Sequence, residues 1–207
     1  AGMREFAAPI PRAAVVQIRA AEAGEGEGGP LFLCHDGYGD DLYMHALARH
    51  LPAGFAVYGL PALDTPDPQQ VAATMLVAIR ETQTHGPYRI GGWSFGGVLA
   101  YEIARQLRAQ GERIGFLGLI DSHHPSVLRD DPDTDAVPAE VLDPQCGRAP
   151  RSEDAAAGFA ACRERLILKL PEMLRGLPPS QTDALCRRLL GYQDALRRYD
   201  PQPIDTV

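Results

Sequence analysis

One serine held between glycines, directly before a helical pattern, constrains the fold of this chain more than any other feature. Residues 88–90 have the apolar character of the end of a buried strand, and residues 98–108 place apolar side chains on one stripe of a helix. The stretch between them, Gly92-Trp-Ser-Phe-Gly96, matches the pattern G-x-S-x-G. In such a strand–turn–helix setting, the glycines let strand and helix approach closely and leave Ser94 on a strained, exposed turn. The stretch predicts a nucleophile elbow with Ser94 as the nucleophile; the alternative is glycines that serve packing alone.

Composition and charge narrow the classes of partner. The 207 residues are 45% hydrophobic and 23% charged, with a net charge of −7, which is ordinary for a globular chain with one buried core. Nucleic acid and anionic membranes require a concentrated basic patch, which a negative chain does not favour. No run approaches the roughly 20 apolar residues of a membrane span, and the first residues lack the apolar core of a signal peptide. We therefore expect a cytoplasmic protein that binds neither nucleic acid nor a membrane.

The cysteines and histidines predict neither a metal site nor a disulfide. The chain has four cysteines, Cys34, Cys146, Cys162 and Cys186. They show no C-x-x-C spacing, and most are expected to be small core residues. The adjacent His123 and His124 have no helical H-x-x-x-H spacing and no neighbouring cysteine pair, so we expect no bound metal.

Strand and helix patterns alternate along the first part of the chain. Strands are predicted at residues 14–19, 31–34, 55–60, 88–90 and 114–120, and helices at 42–51, 71–84 and 98–108. The first two strands are separated by a Gly/Glu turn and predict an opening hairpin. The alternation as a whole indicates an α/β fold, with a mostly parallel sheet that helices cover on both faces. Residues 13–124 are predicted to form this core, and residues 1–12 a linker or an expression remnant.

A glycine-rich loop, His35-Asp-Gly-Tyr-Gly-Asp40, follows the second predicted strand. In a hydrolase of this architecture, the loop after an early strand supplies one oxyanion N–H, and the residue after the nucleophile supplies the other. We therefore predict Gly37 and Phe95 as the two donors; the alternative for Gly37 is a plain strand-to-helix turn. His35 and Asp36 are interpreted as turn residues, because short polar side chains favour turns and no serine lies in the same loop.

An acidic residue, Asp121, stands at the end of the predicted strand 114–120. In open parallel sheets, functional sites form beyond the carboxyl ends of the strands. An acid at this position can therefore face the general base that serves Ser94. The alternative is an aspartate that caps a turn or the next helix.

The chain changes character after the last predicted core strand. Residues 129–151 are rich in Asp, Pro and Ala without a usable period, and predict a loop. Two amphipathic helices are predicted at 153–173 and 180–199, with Ser180 as the N-cap of the second. Residues 125–199 are therefore interpreted as a lid insertion over the sheet. The second helix carries four arginines toward its polar face, Arg187, Arg188, Arg197 and Arg198. They indicate either a solvated face or a dock for an acidic partner or a phosphate.

Two stretches carry a recognisable family pattern. They are His85-Gly-Pro-Tyr-Arg-Ile-Gly-Gly-Trp-Ser-Phe-Gly-Gly-Val-Leu-Ala-Tyr-Glu-Ile-Ala-Arg-Gln-Leu107 and Gly118-Leu-Ile-Asp-Ser122. They resemble the integrated thioesterase domains that end nonribosomal peptide synthetase and polyketide synthase lines, and the resemblance extends from the first predicted strand through the lid. It implies an α/β-hydrolase fold with a helical lid, in which Asp121 orients the base histidine and Gly37 and Phe95 form the oxyanion hole. Where that family often has His-Pro in the early loop, this chain has His-Asp.

The resemblance also implies acyl transfer in two steps. Ser94 takes the finished peptidyl or polyketidyl chain from the phosphopantetheine thioester of an acyl or peptidyl carrier domain, upstream in the same polypeptide. The small-molecule acyl chain is then released by hydrolysis or macrocyclisation, and the domain binds no cofactor directly. The alternatives are a stand-alone editing thioesterase, a small-ester hydrolase, and a noncatalytic carrier-binding module that lacks the base histidine.

The base histidine is where this chain departs from the family pattern. Chain order in the fold is serine, acid, histidine, and the resemblance implies a histidine well beyond the lid. His123 and His124 follow Asp121 by only two and three residues, too near to lie between its carboxylate and Ser94. None of the six histidines fits. We therefore expect a C-terminally truncated domain. Residues 200–207 are predicted to start the next core strand, and the remaining strands and helix are expected to be missing. The base histidine then lies outside this chain, and residues 1–207 alone are expected to be nearly inert.

Overall fold

Short apolar runs of the sequence form a five-stranded sheet. The computed structural model describes residues 14–22, 29–39, 41–127 and 153–204. The strands are β1 (Val16–Arg19), β2 (Leu31–Cys34), β3 (Val57–Leu60), β4 (Tyr88–Trp93) and β5 (Ile114–Ile120). Their order across the sheet is β1-β3-β2-β4-β5; β2 to β5 are parallel to one another, and β1 is antiparallel to β3. The predicted mostly parallel α/β sheet is therefore confirmed.

The predicted opening hairpin is wrong, because β1 pairs with β3 and not with β2. Val16 pairs antiparallel with Gly59, and Gln17 with Tyr58, whereas both edges of β2 are occupied by β3 and β4. All four residues of β2 are apolar and buried, which suits a central strand covered on both faces. β1 is half exposed and includes polar residues, so it suits the edge of the sheet.

Three helices connect these strands: α1 (Leu42–Ala48), α2 (Pro68–Thr82) and α3 (Phe95–Ala109). α2 begins earlier than predicted because the carboxylate of Asp67 accepts the N–H of Gln69 at 2.9 Å, and Pro68 needs no partner at the first helical position. α3 begins directly after the elbow serine. Gly111, just beyond α3, has φ 81°, in the left-handed region that favours glycine after a helix.

Side-chain alternation along β2 divides the core into two layers. Phe32 and Cys34 pack with buried residues of α2 and α3 on one face of the sheet. Leu31 and Leu33 pack with α1 on the other face. Because successive side chains of a strand point to opposite faces, an uninterrupted apolar strand requires cover on both. Burial raises the pKa of the Cys34 thiol, so this cysteine stays protonated as a small core residue.

β5 is the outer strand of the described sheet, and several of its apolar side chains are exposed there. Phe116, Leu119 and Ile120 are 51%, 48% and 43% exposed. Ile114 and Leu117 pack against the core, and Leu119 shares the face of Leu117, whereas Phe116 and Ile120 lie on the opposite face. In the described part of the chain, the face of β5 that carries Phe116 and Ile120 is therefore largely open, and the other face is covered in part. An apolar run predicts a strand but does not reveal whether both of its faces are covered.

The predicted lid region is helical after residue 152. It contains α4 (Glu153–Lys169), α5 (Glu172–Arg175) and α6 (Pro179–Arg198). Apolar side chains of α4 and α6 pack together in a cluster of their own, which includes Phe159, Cys162, Leu166, Cys186 and Leu190. The two predicted amphipathic helices are confirmed, although the first ends before residue 173. The predicted loop 129–151 and linker 1–12 lie outside the described residues.

The start of α6 differs from the prediction that Ser180 is its N-cap. The helix begins at Pro179, and Pro178 is the N-cap residue without a side-chain cap hydrogen bond. Proline is favoured at the first helical position because its missing N–H would have no partner there. Ser180 therefore lies inside the first turn.

Three arginines of α6 are engaged within the protein. The guanidinium of Arg187 lies over the ring of Phe159, 3.8 Å from the ring centroid. Arg188 donates to a backbone carbonyl in the loop after β2. Arg198 forms an ion pair with Asp194 on the same helix. These contacts favour structural roles over a phosphate dock.

The segment after α6 returns to the core. The hydroxyl of Tyr101 on α3 donates to the carbonyl of Gln202 at 2.9 Å. Residues 201–204 have no strand pairing in the described structure. The domain boundaries at 13–124, 125–199 and 200–207 stay predictions.

Neither a membrane-spanning helix nor a metal-binding cluster occurs among the described residues. None of the described helices combines the length and the apolarity needed to cross a membrane. The described residues contain no group of three or more histidine, cysteine or acidic side chains arranged to hold a metal ion. Cys34, Cys162 and Cys186 are free and buried, and Cys146 lies outside the described residues.

Candidate active site

Ser94 lies at the tip of a strained turn between β4 and α3. Its backbone has φ 55° and ψ −120°, which L residues rarely adopt, and its side chain is exposed. The N–H of Ser94 donates to the carbonyl of Ile120 at 2.9 Å, so the turn is tied to the end of β5. This geometry agrees with the predicted elbow, in which an exposed hydroxyl stands at the N-terminus of a helix.

The glycines of the elbow are required by close backbone packing. A Cβ on Gly92 would lie 2.1 Å from the backbone of Gly96. A Cβ on Gly96 would lie 2.6 Å from the carbonyl oxygen of His35, and one on Gly97 would lie 1.8 Å from the hydroxyl of Ser122. The glycines thus let α3 start directly against the end of β2 and the turn after β5.

Replacing Gly96 by alanine is expected to lower the free energy of unfolding by about 1–3 kcal/mol, because the new methyl group meets fixed backbone. The matched control is Gly176→Ala, since a Cβ at Gly176 meets nothing within 4 Å. Urea denaturation of the two variants measures the difference. Equal stabilities would show that α3 can shift away from β2 at little cost.

The loop after β2 is shaped by Asp36. Its carboxylate Oδ1 accepts the N–H of Tyr38 at 2.9 Å and the N–H of Gly39 at 3.0 Å. The N–H of Gly39 also donates to the carbonyl of Asp36 at 3.1 Å, and Gly39 has φ 79°. Asp36 is therefore a turn residue, as predicted, and Gly39 is the glycine of this loop whose backbone conformation excludes most side chains.

His35 is a buried, neutral histidine. It is 1% exposed, and its Nδ1 lies 2.6 Å from the carbonyl oxygen of Asp36, to which it donates as the neutral ring. Burial lowers the pKa of His35 to about 4, although the hydrogen bond to Asp36 acts in the opposite direction. Among the described residues, its Nε2 has no hydrogen-bond partner. The histidine therefore braces the loop and carries no charge near neutral pH.

The two predicted oxyanion donors lie side by side. A Cβ placed on Gly37 would be 3.9 Å from the Cβ of Phe95, which is ordinary contact. Neither backbone N–H donates to another described residue. Phe95 is the first residue of α3, where N–H groups have no partner within the helix. Two free N–H groups beside an exposed serine are what an oxyanion hole requires, and the assignment remains a prediction.

Asp121 lies at the same edge of the sheet as Ser94. Trp93 pairs with Ile120 in the parallel register of β4 and β5, so the serine and the aspartate each follow the last paired residue of neighbouring strands. Asp121 is exposed and has φ 48°. This position agrees with an acid that faces a base beside Ser94, although its role stays a prediction.

The two histidines after Asp121 belong to the turn that follows β5. Nδ1 of His124 lies 2.9 Å from the hydroxyl of Ser126 and accepts the N–H of Ser126 at 3.2 Å. His123 is exposed. All six histidines lie within the described residues, and none of their recorded hydrogen bonds there reaches Asp121 or Ser94.

A comparison with models of protein families shows to which family the chain belongs. A family model described as the thioesterase domain matches residues 29–162, which is more than half of the 207 residues. This chain belongs to the thioesterase domain family. Thioesterases are hydrolases, and the elbow, the loop after β2 and the end of β5 all lie within the matched part of this thioesterase domain.

The curated relatives of the thioesterase domain are much longer synthases. It is 47% identical over 105 residues to a non-reducing polyketide synthase of Cladonia metacorallifera, a match that covers 47% of this chain and 5% of that protein. It is 38% identical over 108 residues to enterobactin synthase component F of Escherichia coli (strain K12), covering 49% of this chain and 8% of that protein. The thioesterase domain thus spans only a small part of these relatives.

Solved structures include thioesterase domains with the same fold. A covalent complex of the NocB thioesterase domain with a fluorophosphonate nocardicin G analog is 29% identical, with a TM-score of 0.59 over 86% of this chain and 69% of that chain. The RedJ thioesterase of the prodiginine pathway in Streptomyces coelicolor has a TM-score of 0.62 over 97% of this chain and 72% of that chain. At 20% identity, the latter likeness shows the fold alone.

Sequence reasoning missed the contact between α6 and the site of the thioesterase domain. The amphipathic pattern of α6 predicts that Tyr192 is buried, but it does not predict that its ring stacks on Phe95, with the ring centroids 4.1 Å apart. Arg188 reaches the carbonyl of Tyr38 at 3.0 Å. No local sequence pattern reports which distant element a buried aromatic residue meets.

Proposed function

We propose that this thioesterase domain releases an acyl chain from a carrier domain by covalent catalysis at Ser94. The observation that carries the proposal is the exposed Ser94 on its strained elbow, next to the strand end that bears Asp121. The similarity to polyketide and peptide synthases supports a peptidyl or polyketidyl substrate, bound as the thioester of a carrier's phosphopantetheine. The carrier domain is proposed to lie upstream in the same polypeptide.

The first step is acylation of the serine. The Oγ of Ser94 attacks the thioester carbonyl while a general base removes its proton, and a tetrahedral oxyanion forms. The carbon–sulfur bond then breaks, and the phosphopantetheine thiol leaves with the proton from the base. The N–H groups of Gly37 and Phe95 are proposed to bind the oxyanion, because both are free and lie beside the elbow.

The second step is release of the acyl chain. Water attacks the ester carbonyl and yields the free acid, or an amine or hydroxyl of the chain attacks and yields a macrocycle. The attacking group loses its proton to the base, and Ser94 regains a proton as the ester bond breaks. α4, α5 and α6 are proposed to act as the lid that selects the chain and limits the entry of water.

The general base is proposed to be a histidine outside residues 1–207. His123 and His124 share the turn that carries Asp121, and the recorded bonds of His124 go to Ser126. A neutral His35, buried at the end of β2, does not offer an exposed proton acceptor. Asp121 is proposed to orient this base histidine and to stabilise its positive charge when it is protonated.

The proposal is tested by intact mass and fragmentation after incubation with an acyl-N-acetylcysteamine thioester. In the natural polypeptide that contains this sequence, we expect an acyl adduct on Ser94 and turnover to free acid or macrocycle. In residues 1–207 alone, we expect little or no adduct, because a serine without its base loses most of its reactivity.

Three outcomes decide between the candidates. An adduct on another residue, or no adduct in either protein, would contradict Ser94 as the nucleophile. Turnover by the 207-residue chain would contradict a base outside it. Turnover of simple oxygen esters at the rate of the thioester would favour a small-ester hydrolase over a chain-releasing domain.

A further inference from the structure

The lid helix α6 contacts the core at the predicted oxyanion hole. The rings of Tyr192 and Phe95 are stacked, with an interplanar angle of 16° and 4.1 Å between centroids. The ring of His35 lies 5.8 Å from each of them. All three side chains are at least 95% buried. We call His35, Phe95 and Tyr192 the ring cluster; it joins the loop after β2, the start of α3 and the middle of α6.

A second contact joins α6 to the same loop. Arg188 lies four residues before Tyr192, and therefore on the same face of the helix. Its Nη1 donates to the carbonyl of Tyr38 at 3.0 Å. Leu189, between them, places its Cδ2 3.5 Å from the position that a Cβ on Gly37 would occupy. The face of α6 thus contacts both sides of the proposed donor Gly37.

The start of the loop is held by the N–H of His35, which donates to the carbonyl of Leu60 at 3.0 Å, and by close packing against Gly96, while the rest of the loop is held mainly by its own short turn. Asp36 accepts the N–H groups of Tyr38 and Gly39, and its carbonyl accepts the Nδ1–H of His35. These bonds set the shape of the turn, but none of them reaches α3 or α6. The ring cluster and the Arg188 bond link the turn to α6, and the stack of Tyr192 on Phe95 links α6 to the start of α3.

We propose that Tyr192 and Arg188 are positioning residues for the oxyanion hole, which is complete only while α6 is seated on the core. The inference rests on the proposed function. Tyr192 acts through Phe95, whose N–H is one donor, and Arg188 acts through the loop that presents Gly37, the other donor. Neither needs to touch the acyl chain.

The consequence is that lid seating and catalysis are coupled. Oxyanion stabilisation requires donors that are held in place before the charge develops, and a displacement of about 1 Å can cost about 100-fold in rate. When α6 moves away, His35 of the loop and Phe95 both lose their contact with the ring of Tyr192. An acyl-enzyme exposed to water in the open state is then poorly activated toward hydrolysis, which favours reaction in the closed, drier site.

The kinetic test uses Tyr192→Leu and Arg188→Met in the natural polypeptide. Each variant is expected to slow single-turnover acylation of Ser94 by about 10- to 100-fold with KM unchanged, because donors are misplaced while substrate contacts remain. Tyr192→Phe keeps the ring and is expected to restore the rate. Arg187→Met is the matched control, since Arg187 stacks on Phe159 within the lid and not on the loop.

A substrate pair reports on the oxyanion hole itself. The same acyl group is supplied as a thioester and as a dithioester, whose tetrahedral intermediate carries its charge on a larger sulfur that fits the donors poorly. The rate ratio of thioester to dithioester is expected to fall about 10-fold or more in Tyr192→Leu and Arg188→Met. An unchanged ratio, or equal losses in Arg187→Met, would indicate general lid damage and overturn the proposal.

Hydrogen exchange tests the coupling without activity. In the 207-residue chain, the amides of Tyr38 and Gly39 are expected to exchange faster in Tyr192→Leu and Arg188→Met, with no change in Arg187→Met. Unchanged exchange at both amides would overturn the coupling. If the unsubstituted polypeptide showed no acylation at all, the proposed function would fail, and the exchange data would still decide whether α6 holds the loop.

Discussion

Replacing Ser94 with alanine is expected to slow acyl-chain release by the natural polypeptide on the order of 10⁵- to 10⁶-fold. Without the Oγ no acyl-enzyme forms, so only oxyanion stabilisation and substrate binding remain. Alanine at this position keeps the same backbone strain as serine, so the fold should be retained. The loss is measured as product release under single-turnover conditions, together with the disappearance of the acyl adduct from the intact mass.

Two companion variants separate chemistry from strain. Ser94→Gly should be equally inactive but more stable by about 1 kcal/mol or more, because glycine accepts a positive φ without strain. Ser122→Ala removes a neighbouring hydroxyl that donates to the carbonyl of Ile120 at 3.1 Å, and should keep its activity. Acyl-chain release by Ser94→Ala at even a tenth of the original rate would refute the covalent mechanism.

Of the substitutions proposed here, Glu102→Ala is expected to lower the free energy of unfolding most, by about 3–5 kcal/mol, because it breaks a buried charge network. Glu102 is fully buried on α3 and accepts bonds from Arg105 at 2.7 and 2.8 Å and from Gln106 at 2.8 Å. It also accepts the hydroxyl of Tyr199 at 2.6 Å, which ties the end of α6 to the core. Removing the carboxylate leaves the Arg105 guanidinium without its partner in a largely enclosed place.

The measurement is urea denaturation with an exposed carboxylate as the control. Glu164→Ala, on the exposed side of α4, should change the free energy of unfolding by no more than about 0.5 kcal/mol. Tyr199→Phe should cost about 1.5–3 kcal/mol, because one hydrogen bond to a charged group is lost. A Glu102→Ala variant as stable as Glu164→Ala would mean that solvent reaches the network.

Acidification is expected to destabilise the domain through two buried groups. Burial lowers the pKa of His35 from 6.5 to about 4. As the pH falls between these values, His35 takes up a proton in the unfolded chain but not in the folded one, so the free energy of unfolding decreases. For Glu102, burial raises the pKa, but hydrogen bonds from Arg105, Tyr199 and Gln106 outweigh it and leave the pKa below 4.5. The stabilisation by the ionised Glu102 is present above 4.5 and is lost as the pH falls through its lower folded-state pKa.

Urea denaturation over this pH range tests both contributions. His35→Gln should remove the pH dependence above about pH 4.5, and Glu102→Gln should remove it below that value. Stability that is flat from neutral pH down to about pH 4 would contradict a buried neutral His35.

Local patterns were sufficient for the elements that surround Ser94. The apolar residues of β2, the glycines of the elbow and the stripe of α3 each depend on neighbours within a few positions. Periodicity and glycine placement therefore predicted the α/β fold, the strained serine and the strand end that carries Asp121. Local patterns misplaced the starts of two helices. α6 begins at Pro179 and not after an N-cap at Ser180, and α2 begins at Pro68, where Asp67 is the N-cap.

Long-range pairing decided what remained. β1 has the pattern of a strand, but the pattern does not say which strand it pairs with. Because β3 and β4 occupy both edges of β2, β1 pairs with the free edge of β3. β5 is as apolar as a buried strand, and the exposure of Phe116, Leu119 and Ile120 follows from its place at the edge of the described sheet. The stack of Tyr192 on Phe95 joins residues far apart in the chain. An amino-acid pattern indicates which surface must be buried and with which period. The sequence by itself therefore determined the helices and strands and the turn that carries Ser94. Which surface meets which depends on the packing of the whole domain, and only the tertiary structure brought α6 onto the proposed oxyanion hole.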